Sequence, residues 1–294
     1  MTNVMVSSAE SMRIMRDKFL SADFFQSIGV PCPKTAQVAG FNTRDIVDSV
    51  GLPVILKPRY GSSGQGVVRC KTREELERAL SDLNGPYVAQ ELVVGDEVTI
   101  DVFGTGDGQV LSMVPRKRLK VRGGEVERAI TISDDLFRED VLRIAKALKP
   151  FGAINVQCIV SSDGPKYTEI NGRFGGGYPL AHMAGARFPE LLIQLVLGKS
   201  PEPLLGKYEA GLVMSRYDEV KLPRFGGRLI IRRRLHMPRP VLQPTAFRIL
   251  PDSYSQDWSE AAYGCRMPRC SRRRQLVTVN GLSTSVCREA RFAE

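Results

Sequence analysis

Tyr167-Thr168-Glu169-Ile170-Asn171-Gly172-Arg173 reads as a β-strand that ends in chemistry. Glu169 and Asn171 stand two residues apart, and the period of a strand turns both side chains to one face. Gln157 lies in a second strand-like run, residues 153–160, and can reach the same face from a neighbouring strand. Three oxygen-bearing side chains on one face suit a hard divalent cation that keeps some of its waters and takes its other ligands from phosphate. Arg173 stands beside them and can hold an anion through two hydrogen bonds. The constellation points to phosphoryl chemistry on a nucleotide.

Working outward, the next informative stretch is Ile55-Leu56-Lys57-Pro58 followed by Gly61-Ser62-Ser63-Gly64-Gln65-Gly66. A lysine at the end of a short apolar strand can neutralise phosphate oxygens as a point charge. Glycines allow the backbone N–H groups of the loop to fold around phosphates. The loop lacks the GxxxxGK[ST] pattern and is not a P-loop. Taken alone it reads as a surface hairpin with a solvated lysine; Glu169 and Asn171 downstream tip the reading toward phosphate. Gln90-Glu91-Leu92-Val93 ends a strand that can pass beside a purine, with Glu91 or Glu97 near a ribose. The basic run 115–122, flanked by strands, is a solvated face or a clamp for phosphates or an acidic substrate. His182 has no carboxylate, serine or cysteine partner in its neighbourhood of sequence and reads as structural.

The rest of the chain is α+β in pattern. Residues 11–28 carry an approximate helical stripe that Gly29 and Pro31 stop. Thr72 caps a helix over 73–83, with Glu75 placed for a capping box. Strands are expected over 87–94, 97–103, 109–114 and 125–132. Ser133 caps a helix over 134–149. Two strands, 153–160 and 166–171, flank an Asp163-Gly164 turn, and Pro189 starts a helix that ends near Gly198.

Composition sets bounds. The chain has 294 residues, 43% of them hydrophobic and 25% charged, enough for one or two domains with a real core. No apolar run is long enough to span a membrane, and residues 1–10 do not read as a secretory signal, so a cytoplasmic protein is expected. The six cysteines form no CxxC pair and read as reduced thiols. The net charge of +10 is concentrated in residues 224–294, which hold 14 Arg, no Lys and 5 acidic residues. The charge argument for nucleic acid therefore applies to the tail alone. That tail shows no sustained period and is expected to be poorly ordered; an Arg-only, aperiodic ending is also what an out-of-frame reading produces.

In order along the chain, Asp17-Lys18, Ile55-Leu56-Lys57-Pro58, the glycine loop, Gln90-Glu91-Leu92, Gln157 and Glu169-Ile170-Asn171-Gly172-Arg173 resemble the ATP-grasp superfamily, in its carbamoyl-phosphate-synthase-like branch. The resemblance covers about residues 4–220. It implies two α+β subdomains gripping ATP, a lid near 38–92 and a metal-bearing half over 93–223, its main body near 93–205. Residues 1–37 would then be a remnant of a preceding domain plus the first helix, and 224–294 an added tail. It also implies that Lys18 and Lys57 hold the ATP phosphates and that Gly61, Ser62, Ser63, Gly64 and Gly66 belong to the mobile lid loop. Glu91, Leu92 and Val93 would form the adenine-side hinge, and Glu97 the ribose-side acid. Gln157, Glu169 and Asn171 match the ligands of magnesium, with manganese as a substitute, and Arg173 the catalytic anion-holding arginine.

The activity implied is ligation: a carboxylate is activated as an acyl phosphate and an amine displaces phosphate. The partners expected are small carboxylate and amine substrates, with no membrane and no nucleic acid; a homodimer is compatible. The sequence departs from the family in three places. Gly172 replaces a usual proline. Gly176 stands where true carbamoyl-phosphate synthases carry a second arginine, which is expected to open space, remove an anion contact and favour a larger carboxylate, such as an amino acid, over bicarbonate. Val4-Met5-Val6-Ser7-Ser8 looks like the last strand and loop of the domain that precedes this one in the family, and a remnant of that domain is expected here. A truncated ATP-binding protein without ligase activity, carboxyphosphate chemistry, and nucleic-acid binding through the Arg tail are the competing expectations.

Overall fold

The computed structural model describes residues 6–61 and 64–217, together with the backbone strands 276–279 and 282–286. Two helices come first, α1 (Ala9–Arg16) and α2 (Lys18–Ser27). The single helix expected over 11–28 is thus corrected to a pair. Asp17 breaks it with extended backbone at φ −119°, ψ 111°. Its carboxylate caps α2 by accepting from Phe19 N and Leu20 N, at 3.0 and 3.3 Å. A one-residue break leaves the apolar stripe nearly in phase, so the stripe could not reveal it.

A four-stranded sheet follows. β1 (Thr35–Gln37), α3 (Thr43–Val50), β2 (Val54–Pro58), β3 (Val68–Cys70), α4 (Arg73–Asp82) and β4 (Tyr87–Glu91) build it in the order β1-β4-β2-β3, antiparallel throughout. Ile46 and Val50 of α3 and Leu76 of α4 cover Val54, Leu56, Cys70 and Ala89. Leu56, Ile46 and Leu76 are fully buried, which stabilises the unit by about 1.5–3 kcal/mol each. With Val54 and Leu56 turned to this core, the alternation of β2 turns Ile55 and Lys57 to the opposite face.

The chain then enters a larger sheet between Glu91 and Asp96. It contains β5 (Asp96–Thr105), β6 (Val110–Arg122), β7 (Glu125–Thr131), β8 (Phe151–Ser161), β9 (Gly164–Asn171) and β10 (Val213–Tyr217), with helices α5 (Arg138–Leu148), α6 (Tyr178–Ala184) and α7 (Phe188–Val196). Two short tail strands, β11 (Leu276–Val279) and β12 (Leu282–Val286), pair with each other, and β12 pairs with β10. The order is β11-β12-β10-β7-β6-β5-β8-β9, which leaves β9 at an edge. The aperiodic tail gave no sign of these strands; its other residues lie outside the described ones. The basic run 115–122 is corrected too: it is part of β6 rather than a segment between strands.

On one face of this sheet Val98, Ile100, Val102, Ile154, Val156 and Ile170 pack against Met15, Phe25 and the buried side of α5. Phe103, Leu111, Val114, Val126 and Ala129 join a second core with Tyr178, Leu180, Phe188 and Leu191 from α6 and α7. The helix expected to start at Ser133 begins later, at Arg138, because Ser133 Oγ is taken by Asp135 and Asp134 pairs with Arg138 instead. Among the described residues no helix is long and apolar enough to cross a membrane.

Candidate functional site

Strand register arranges the polar residues in two rows. Thr99 of β5 faces Gln157 of β8, and Gln157 faces Glu169 of β9. One step along, Asp101 faces Asn155, and Asn155 faces Asn171. These residues alternate with Val98, Ile100, Val156 and Ile170, which point into the core, so the two rows share the other face. Directly opposed residues such as Gln157 and Glu169 have Cβ atoms about 5 Å apart.

The second row orients its own amides. Asn171 Nδ2 donates to Asn155 Oδ1 at 3.2 Å, and Asn155 Nδ2 donates to the carbonyl of Arg173 at 3.1 Å. Asn155 is buried. Because an amide is planar and its nitrogen is committed to Asn155, Asn171 Oδ1 is turned away from that partner. Gln157, Glu169 and Asn171 thereby form a set of hard oxygen donors that fits a magnesium-sized cation. The set holds a single carboxylate; among the described residues no group of three His, Cys, Asp or Glu is placed to hold a metal. Arg173 is exposed, and its Nη1 donates to the carbonyl of Phe174 at 3.0 Å. Gly172 leaves no room for a proline ring: a Cβ there would meet the sulfur of Met12 at 2.9 Å.

Across from this face lie the lysines. The break at Asp17 puts Lys18 at the first position of α2, where its Nζ donates to the carbonyl of Gly61 at 2.9 Å. Asp17 meanwhile pairs with Arg59 at 2.8 Å, tying the helix break to the end of β2. Lys18, Tyr60, Gly61, Glu169, Asn171 and Arg173 line one cavity of about 330 Å³. Lys57 Nζ donates to Gln90 Oε1 at 2.6 Å. Burial pushes the Lys57 pKa down and Lys18 adds to that, while the charges of Glu169 and Glu97 oppose it. Gly61, Gly64 and Gly66 have φ of 114°, 69° and 69°, the left-handed backbone that glycine tolerates. Ser62 and Ser63 lie outside the described residues.

The hinge residues are partly committed. Glu91 Oε1 accepts from Lys166 Nζ at 2.6 Å and Oε2 from Lys34 N at 3.2 Å. Burial alone would raise the Glu91 pKa, but Lys166 and Lys34 outweigh it and hold the carboxyl below its ordinary value. The N–H groups of Glu91 and Leu92 are bound to the carbonyls of Lys34 and Pro53. The N–H of Val93 makes no hydrogen bond among the described residues. Glu97 is half exposed, with Oε2 3.3 Å from Arg118 Nη1.

Two arginines of the basic run, expected as a solvated face or a clamp for phosphates or an acidic substrate, lie within β6. Alternation along β6 separates them from Lys117, which pairs with Asp96 at 2.7 Å. Arg118 donates to Thr99 Oγ1 at 2.9 Å and feels the charges of both Glu97 and Glu169. Arg116 is fully buried, its Nε donating to Asp101 Oδ2 at 2.6 Å. Among the described residues Asp101 Oδ1 has no hydrogen-bond partner. The glycine run after Arg173 closes over this pair: a Cβ on Gly175 would lie 2.9 Å from Asp101 Oδ1, and one on Gly177 would overlap Arg116 Nη1. Gly176 was expected to open space. It does not, because the Glu125 carboxylate already occupies the volume a side chain there would need. His182 Nδ1 lies 3.2 Å from the Tyr178 hydroxyl, which accepts from Phe188 N at 2.9 Å, in keeping with a structural histidine.

Comparison with known proteins shows what this chain is similar to. Residues 85–220 match the family model described as ATP-grasp in the biosynthetic pathway with Ter operon. The chain is 26% identical over 222 residues to the carbamoyl phosphate synthase large chain of Thermotoga neapolitana, covering 70% of this chain and 20% of that one. It is 30% identical over 190 residues to the 3-methyl-D-ornithine–L-lysine ligase of Methanosarcina acetivorans, covering 63% of this chain and 47% of that one. In fold it is similar to the biotin carboxylase domain of 2-oxoglutarate carboxylase from Hydrogenobacter thermophilus, a structure in complex with MgADP, ADP and bicarbonate. There the TM-score is 0.60 at 20% identity, over 69% of this chain and 50% of that one. The chain thus spans about a fifth of the length of the carbamoyl phosphate synthase large chains it matches.

Proposed function

We infer that this chain, which carries an ATP-grasp domain, is an ATP- and magnesium-dependent ligase that joins a carboxylate to an amine through an acyl phosphate. The observation that carries this reading is convergence. Lys18, Gly61, Glu169, Asn171 and Arg173 line one cavity, Gln157 stands opposite Glu169, and Lys57 senses both Glu169 and Glu97.

In this reading the triphosphate runs from Glu97, at the ribose end, toward Glu169. Lys57 and Lys18 neutralise its oxygens, and Lys18 exchanges the Gly61 carbonyl for phosphate. Gln157, Glu169 and Asn171 would hold magnesium, which would offset the charge that develops on the transferred phosphoryl group. Arg173 holds the substrate carboxylate in line with the γ-phosphorus. A carboxylate oxygen forms the new P–O bond as the bond to the β,γ-bridging oxygen breaks, giving acyl phosphate and ADP. The amine nitrogen then forms the C–N bond, inorganic phosphate leaves, and the nitrogen loses a proton. The glycine loop 61–66 excludes water, which would otherwise hydrolyse the acyl phosphate. Two similar proteins support the class: one is a 3-methyl-D-ornithine–L-lysine ligase, and another was solved with MgADP.

ADP release measured over a panel of paired acids and amines tests the reading. Turnover that needs both substrates and magnesium is expected. A protein that binds no ATP in the presence of magnesium, or a Glu169→Ala variant with unchanged metal-dependent turnover, would end it.

A further inference from the structure

The cavity that holds Lys18 and Glu169 has a further cation on its wall. Among the described residues its lining carries Arg16, Lys18 and Arg173 against a single carboxylate, Glu169. Lys18 Nζ holds the Gly61 carbonyl and Arg173 Nη1 the Phe174 carbonyl. The Arg16 side chain makes no hydrogen bond or ion pair among the described residues. Arg13, the other basic residue in the last turn of α1, is by contrast exposed and paired with Glu10 at 2.9 Å. Both charges suit the negative end of a helix dipole, but Arg16 is the one that lines the cavity.

Two placements fix what Arg16 can reach. Asp17 is extended and turns its buried carboxylate to Arg59. Neighbours on either side of an extended residue point the opposite way. Arg16 and Lys18 therefore both turn to the cavity, with Cα atoms about 6.6 Å apart. Arg16 also stands one helical turn beyond Met12, on the same face of α1. Met12 and Met15 close on the turn at Gly172, where a Cβ would come within 2.9 Å of the Met12 sulfur and 3.2 Å of the Met15 sulfur. Gly172 lies between Asn171 and Arg173. Arg16 is thus flanked by Lys18 on one side and by Asn171 and Arg173 on the other.

We propose that Arg16 is a catalytic residue that holds the γ-phosphoryl group as it passes from ATP to the carboxylate. This rests on the reading of the chain as a carboxylate–amine ligase. In that reading Lys18 takes a phosphate oxygen and Arg173 the carboxylate, and the group between them is the one transferred. The carboxylate oxygen forms its bond to phosphorus, the bond from phosphorus to the β,γ-bridging oxygen breaks, and the electron pair stays with ADP. Charge is spread over the three equatorial oxygens of the moving group, and a guanidinium presents two parallel N–H donors to such oxygens. Arg16 gives up no protein partner to do this and keeps its proton throughout.

Calorimetric titration of the full chain with magnesium and two nucleotides isolates that contact. The probes are ADP and a non-hydrolysable ATP analogue with an imido group at the β,γ-bridge; only the second carries a γ-phosphoryl group. Arg16→Gln should weaken the analogue about 10- to 100-fold, as expected for a lost charge-assisted contact, and leave ADP within about twofold. Arg16→Lys, which keeps the charge without the fork, should recover part of the loss. Arg13→Gln, which removes an equal charge from the same helix end, should change neither nucleotide. Equal weakening of both nucleotides in Arg16→Gln would mark a structural role. An unchanged ratio would mean that Arg16 faces another group, such as the acid, and the same loss in Arg13→Gln would mean a diffuse field. Each of these overturns the proposal and leaves the ligase reading intact. A wild-type chain that binds neither nucleotide removes both.

Discussion

Asn155 and Asn171 face each other across β8 and β9, and the Asn171 amide nitrogen donates to Asn155 Oδ1 at 3.2 Å. The buried amide therefore decides which end of Asn171 is presented to the cavity. Asn155→Ala should leave the fold intact but raise the magnesium concentration for half-maximal ADP release by about 10-fold, in the range typical of residues that orient ligands. Asn155→Asp, which keeps the acceptor, should recover part of it. Equal magnesium dependence in Asn155→Ala and wild type would contradict this orienting role.

Arg118 lies between the two carboxylates whose fields it feels, Glu97 and Glu169. Arg118→Ala should raise the KM for ATP about 10-fold, as expected for a lost charge-assisted contact. Lys117→Ala, on the other face beside Asp96, should change it less than twofold, within the range of surface substitutions. Steady-state kinetics on the two variants decides.

Lys57 is a buried cation whose pKa is pushed below that of an ordinary lysine, chiefly by burial. It is charged at low pH and loses its proton as pH rises through the lowered value. The alkaline limb of kcat/KM for ATP should therefore fall earlier than an ordinary lysine would allow. Lys57→Arg should carry that limb to higher pH, because guanidinium stays protonated. A limb unmoved by the substitution assigns the titration to another group.

Asp17 caps α2 and pairs with Arg59. Burial raises its pKa, but the hydrogen bonds from Arg59 and from the backbone N–H groups of Leu20 and Phe19 outweigh this and hold it below the usual value. A depressed carboxyl stabilises the folded state above its unfolded pKa, about 4, and loses that contribution as pH falls through the folded value. Thermal melts should show Asp17→Asn less stable than wild type by about 1–2 kcal/mol at pH 7. The gap should narrow steadily below about pH 4; a gap independent of pH would exclude the ionic contribution.

Gly177→Ala would drive a Cβ into Arg116 Nη1 and to 2.8 Å from Val126 Cγ1. Overpacking of this kind costs about 1–3 kcal/mol. Chemical denaturation should show that loss, and Gly123→Ala, with open space at its Cβ but φ of 59°, serves to separate crowding from backbone strain.

The strands around Glu169 were legible in the sequence because period two and an Asp-Gly turn are local signals. The two-residue spacing of Glu169 and Asn171 fixed their common face, and the register then put Gln157 opposite Glu169. Asn155 was not legible as a partner, since a buried amide in an apolar strand looks the same whatever it faces. Arg116 and Arg118 were ambiguous for a different reason: eight residues with five basic side chains read as a solvated face or a clamp unless strand pairing is known. The Glu125–Gly176 contact depends on two segments about fifty residues apart, and nothing local encodes it. Within Asp17-Lys18 the sequence showed the lysine but not the break, because a cap residue inside a continuous apolar stripe gives no change of period.

The edge position of β9 has a consequence for how the cavity behaves in solution. Among the described residues, Glu169 and Asn171 sit on a strand paired in the sheet only to β8, outside which Tyr167 N donates to the Pro31 carbonyl at 2.8 Å and Arg173 N to the Asn171 carbonyl at 2.9 Å. An edge strand is where a sheet opens first, so its amides exchange with solvent sooner than those of β5. Any cation that bridges Gln157 to Glu169 staples this edge to its neighbour. Amide exchange along β9 would then act as a built-in reporter of occupancy, slowing as the cation is titrated in, before any chemistry takes place.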